Sequence, residues 1–122
     1  MKRVIHFEFS ADDPDRAVTF YSQVFGWKTM KWNGPEDYWL ITTGPQNEPG
    51  IDGAISRRSP FSGPTTVTMD VTSVDEFVNK IIAAGGQVVA PKMAIPGVGY
   101  FAYCKDTEGN VFGIMENNPQ AQ

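Results

Sequence analysis

The chain has 122 residues, 41% hydrophobic and 12% aromatic, with a net charge of −4 and a pI near 4.8. That is enough apolar material for one self-supporting core and too much for a disordered chain. The acidic balance argues against a nucleic-acid module, since Arg57-Arg58 is only a pair and no basic stripe exists.

Val4–Phe9 alternates, with Ile5, Phe7 and Phe9 on one face and Val4, His6 and Glu8 on the other. This is the signature of a strand with one buried face, and the apolar side should meet a helix. Asp13 is a good N-cap with Pro14 at the first helical position, and Asp15 adds negative charge where the dipole favours it. Ala17, Phe20, Tyr21, Val24 and Phe25 follow helical spacing as the core stripe, and Gly26 ends the helix. Strands are expected at Trp27–Trp32, Tyr38–Thr42 and Ile51–Ser56, with Asn33-Gly34-Pro35 as a turn. Residues 57–64, with Pro60, Gly63 and Pro64, read as a linker.

The outline then returns. In Thr65–Val71, the residues Val67, Met69 and Val71 oppose Thr66, Thr68 and Asp70. Ser73 and Glu76 form a capping box, Phe77, Val78, Ile81 and Ala84 form a buried stripe, and Gly85 stops the helix. Gln87–Ala90, Gly99–Cys104 and Asn110–Glu116 read as strands, with loops over Pro91–Pro96 and Asp106–Gly109. The order is βαβββ twice. The expected fold is α+β: one domain over 1–122, with internal modules 3–57 and 64–117. Two curved sheets would form a half-barrel cup, with helices on the convex side.

The single cysteine, Cys104, excludes an internal disulfide, and nothing near it in sequence would activate it. No run approaches the ~18 apolar residues of a membrane span. No apolar stretch follows Lys2-Arg3, so the chain is expected without a leader and in the cytoplasm.

The ordered set of His6-Phe7-Glu8-Phe9, Asp13-Pro14-Asp15-Arg16-Ala17, Phe20-Tyr21, Phe25-Gly26-Trp27, Ala84-Gly85-Gly86 and Asp106-Thr107-Glu108-Gly109-Asn110 resembles the vicinal oxygen chelate superfamily. That superfamily includes glyoxalase I, bleomycin-resistance proteins and extradiol dioxygenases. Its metal-dependent members hold an ion with four inward residues from the first and last strand of each half. The resemblance carries those positions onto His6, Gly53, Thr66 and Gly113, and a shift of sixty aligns His6 with Thr66 and Gly53 with Gly113. Glycine offers no side-chain donor and threonine a poor one, so the resemblance implies no resident metal and no cofactor. It also implies a homodimer.

By parity His6, Glu8, Thr66 and Thr68 face the cup, joined by Ile51, Ile55, Val111 and Met115. Gly53 and Gly113 would leave room at its floor. Trp27, Trp32, Trp39 and Tyr100 lie on neighbouring strands and are candidates for the rim. An apolar cleft with few polar groups fits a small hydrophobic ligand anchored by His6 and Glu8. The expected ligand-binding set is therefore His6, Glu8, Trp39, Ile51, Gly53, Thr66, Thr68, Tyr100, Gly113 and Met115. Catalysis is left open. The rivals are a lyase, isomerase or dioxygenase with a metal on displaced ligands such as His6, Glu8 and Glu116, and a non-catalytic accessory module.

Overall fold

A computed structural model describes residues 2–34 and 36–122. The Asn33-Gly34-Pro35 turn therefore lies partly outside the described residues. The elements run β1 (Val4–Ala11), α1 (Pro14–Phe25), β2 (Lys28–Lys31), β3 (Tyr38–Thr42), β4 (Asp52–Arg57), β5 (Thr65–Asp70), α2 (Val74–Ala83), β6 (Gln87–Ile95), β7 (Gly99–Lys105) and β8 (Val111–Asn117).

Both helices are set by their caps. The Asp13 side chain accepts from Arg16 N at 3.2 Å, and Gly26, at φ 71°, donates its N–H to Ser22 O. Ser73 Oγ accepts from Glu76 N at 3.1 Å. A second device was not read from the sequence: Val74 N donates to Glu116 Oε1 at 2.9 Å, so β8 also caps α2. A carboxylate there meets the positive end of the helix dipole.

The strands form one mixed sheet in the order β2-β3-β4-β1-β5-β8-β7-β6. Read outward from the antiparallel β1·β5 pair, the two halves repeat one arrangement: β1 pairs parallel with β4, and β5 parallel with β8. The fold is α+β, with both helices on one face. Along β1, Phe7, Phe9 and Ala11 meet α1 through Ala17, Val18 and Tyr21, joined by Trp39 and Ile41 of β3, Ile55 of β4 and Trp27. The second core gathers Val71, Val74, Ala102, Cys104 and Ile114 under α2, with Phe77, Val78 and Ile81.

Two local expectations are corrected. The α1 core stripe is narrower than the spacing predicts. Phe20, Val24 and Phe25 are each more than half exposed. Phe20 meets Tyr21 edge-on at 5.1 Å, and Phe25 stacks on Trp27 at 5.4 Å, so an aromatic layer continues outward to solvent. The segment expected as a loop, Pro91–Pro96, is largely strand, because β6 continues to Ile95. Proline is tolerated there because β6 is an edge strand, and the β6·β7 register shifts between Ala90 and Met93.

Candidate functional site on the concave face

Directly opposed residues share a face of a sheet. The registers run Asp52–His6–Thr68–Gly113, and Glu8 lies between Ala54 and Thr66. Tyr38 joins through Ser56 and Leu40 through Ala54, while Tyr103 opposes Gly113 and Phe101 opposes Met115. These residues share the face away from the helices.

That face is concave. Glu8 and Tyr103 lie three strand spacings apart, about 14 Å on a flat sheet. Yet Tyr103 Oη donates to Glu8 Oε1 at 2.9 Å. Side chains standing upright on a flat sheet do not meet over that span, so the sheet curls around them. Across from it, Tyr38 Oη lies 3.3 Å from His6 Nε2. Phe101 and Tyr103 pack edge to face, with centroids 4.7 Å apart. These rings close over the polar row: Glu8 is 9% exposed, Thr68 4% and Thr66 1%. Thr66 Oγ1 is buried with no hydrogen-bond partner among the described residues.

Electrostatics follow from this burial. Loss of water pushes the Glu8 carboxyl up, against the hydroxyls of Tyr103 and Ser56 that favour its charged form. Burial lowers His6, partly offset by Asp52. Tyr38 and Tyr103 are held protonated by burial and by the Glu8 charge. Burial raises the Cys104 thiol, which lies under α2 and away from this face.

Both shifts link to stability, with opposite signs. His6 resists its proton when folded, so stability falls as pH drops from about 6.5 through its folded value. Glu8 holds its proton more tightly when folded, so stability falls as pH rises from about 4.3 through its folded value. Glu8→Gln is therefore expected to gain stability relative to the parent as pH rises from 4 to 8. Melting curves at both pH values check this; a variant that gains nothing between them would show that the carboxylate is not strained.

The sequence-predicted residues divide between the two faces. His6, Glu8, Thr66, Thr68, Gly113 and Met115 come together on the concave face, and the register carries Val111 there as well. Trp39 and Ile55 instead lie in the core under α1, as does Trp27. Gly53 opposes Phe7 and so also faces the helices. Tyr100 packs against the α2 core, opposite Glu116. Ile51 precedes β4 and is 37% exposed in the loop, where its carbonyl accepts from Thr43 Oγ1. Trp32 is exposed beside Tyr38, at 6.0 Å between rings.

The error at Gly53 has one cause. β1 pairs Phe7 with Gly53, an offset of 46, whereas β5 pairs Thr68 with Gly113, an offset of 45. A one-residue difference flips every side chain, so a uniform shift of sixty sends Gly53 and Gly113 to opposite faces. Nor does either glycine leave open room. A Cβ on Gly113 would lie 2.5 Å from the Phe101 ring, and one on Gly53 would lie 2.6 Å from the Phe7 ring. Tyr38, Phe101, Tyr103, Asp52 and Ser56 were missed. Their strands carry apolar residues at both parities, so no alternation marks a face.

The family's metal pattern does not fit these residues. The concave row is Asp52, His6, Thr68 and Gly113. Asp52 Oδ1 is turned to Thr43, accepting from its N at 2.9 Å and its Oγ1 at 3.3 Å. Among the described residues no three His, Cys, Asp or Glu side chains converge to hold an ion. The displaced set of His6, Glu8 and Glu116 is split, because Glu116 caps α2 on the other face.

Residues 3–114 match the model of the Glyoxalase/Bleomycin resistance protein/Dioxygenase superfamily. The chain belongs to that superfamily. It is 31% identical over 116 residues to "Putative glyoxylase CFP32" of Mycobacterium bovis, covering 93% of this chain and 43% of that protein. It is 26% identical over 128 residues to lactoylglutathione lyase GLX1 of Arabidopsis thaliana, covering 97% and 45%. The chain thus spans less than half the length of these curated relatives. Among solved structures, a superfamily member from Vibrio splendidus superposes with TM-score 0.65 at 15% identity, covering 97% of this chain and 100% of that one. Methylmalonyl-CoA epimerase from Mycobacterium tuberculosis gives 0.68 at 14% identity, covering 95% and 88%. At such identities these two likenesses speak for the glyoxalase-like fold alone. No helix among the described residues is long and apolar enough to cross a membrane.

Proposed function

We propose that this superfamily member binds a small hydrophobic molecule on its concave face, without a metal. The observation that carries this is the Glu8–Tyr103 and His6–Tyr38 arrangement: a buried and a half-buried polar anchor among rings at the centre of a curled sheet. Such convergence of a few polar groups in apolar surroundings is the usual form of a small-molecule site. The relatives' names fit a second reading, a lyase of the same fold. Glu8, pushed up by burial, and His6, pushed down by burial on the same face, are the features that favour it. The unpaired outer edges, β2 and β6, fit assembly with a second copy, and the buried thiol of Cys104 fits a cytoplasmic setting.

The test is a thermal-shift screen of hydrophobic metabolites and antibiotics in excess chelator. A ligand at a hundred times its Kd stabilises by about 2.7 kcal/mol. Hits are expected to keep their shift in chelator, and His6→Ala is expected to reduce it without changing metal content. A shift that appears only with added metal would contradict this reading.

A further inference from the structure

Glu8 is a buried carboxylate without a cation. The ion pairs among the described residues join Lys31 and Arg57 to Asp37, Arg58 to Asp12, Lys80 to Glu76 and Lys92 to Asp75; none reaches Glu8. Its partners are hydroxyls, and Glu36 adds a second negative charge nearby. The lysines that the register places on this face, Lys28 and Lys105, stand at strand ends.

Three further features surround this charge. The rings of Tyr38, Phe101 and Tyr103 present π surface, with Trp32 beside Tyr38. Met30 at one margin of the face and Met93 at the other are exposed, at 65% and 44%. Opposite Glu8, the Thr66 hydroxyl is buried with no partner among the described residues. A negative centre, aromatic faces around it and apolar margins describe a site for a positive charge on an apolar body. An organic anion would be repelled by Glu8 and Glu36. A neutral ligand would leave the buried carboxylate with its hydroxyl partners but without a counter-charge.

We infer that the concave face selects an organic cation, an amine or quaternary ammonium on a hydrophobic or aromatic body, seated against the Tyr38 and Tyr103 rings with Glu8 as its counter-charge. This rests on the concave face being the binding site.

The experiment uses three matched probes: 3-phenylpropylamine, 3-phenylpropanol and 3-phenylpropanoate, titrated calorimetrically at pH 7.5. The amine is expected to bind about tenfold more tightly than the alcohol, and the acid most weakly. Glu8→Gln should erase the gap between amine and alcohol. Tyr38→Leu, which keeps Glu8, should weaken the amine severalfold more than the alcohol. Equal affinities in the parent protein, or an intact preference in Glu8→Gln, would overturn the charge selection and leave the binding site standing. Failure of all three probes to bind would overturn both.

Discussion

Replacing Ile55 by alanine is expected to destabilise the protein by about 2–5 kcal/mol, the range for emptying a closed core site. Ile55 is fully buried, set between Phe9 of β1 and Trp39 of β3 and facing α1. Ile51, four residues earlier and of the same type, sits exposed in the loop, and its truncation is expected to change stability by no more than about 0.5 kcal/mol. Urea denaturation checks the pair, with midpoints compared at unchanged slope. Ligand affinity should be untouched by either substitution in the protein that remains folded. If Ile55→Ala left stability intact but weakened a ligand, β4 would be turned the other way and the concave face would need redrawing.

Gly53→Ala and Gly113→Ala are expected to separate stability from binding. At Gly53 a Cβ would lie 2.4 Å from the backbone oxygen of Phe7, in the middle of the β1·β4 ladder. Backbone cannot step aside without breaking that pairing, so a loss of about 3 kcal/mol is expected. At Gly113 the obstacle is the far end of the Phe101 ring, at 2.5 Å, with Thr68 Oγ1 at 2.8 Å. A ring can swing, so the stability loss should be nearer 1 kcal/mol. Its movement would press on Tyr103, its edge-to-face neighbour, and through it on the bond to Glu8. Gly113→Ala should therefore change ligand affinity at nearly normal stability, and Gly53→Ala should do the reverse. Denaturant titrations paired with binding isotherms read both; equal stability losses at the two sites would mean the two faces are not as distinct as described.

How much of this could be read from residues alone depended on the range of the information. Helix caps are local, and Asp13, Gly26 and Ser73 act as their identities foretell. The faces of β1 and β5 were legible because their side chains alternate cleanly: Phe7 and Phe9 against His6 and Glu8, Val67 and Met69 against Thr66 and Thr68. β3 and β7 offer no such contrast. Tyr38-Trp39-Leu40-Ile41 and Tyr100-Phe101-Ala102-Tyr103 are apolar at both parities, and only the register decides that Tyr38 and Tyr103 face the hollow. Gly53 was misplaced because a one-residue difference in strand pairing is a tertiary fact, invisible in a repeat with few identities. The contact that most alters the site, Tyr103 to Glu8, spans 95 residues. Nothing local announces it. The cup that parity foresees therefore has its own tyrosines bonded to the polar residues at its centre.

The claim that the concave face works without an ion is tested most directly by metal content. The chain, with Glu8 and His6 intact, would be dialysed against zinc, nickel and manganese, freed of loose ions, and assayed by elemental analysis beside His6→Ala. The expected result is far less than one ion per chain, equal in both proteins, because a stable divalent site needs three or four converging donors. One firmly held ion per chain that disappears with His6→Ala would contradict it.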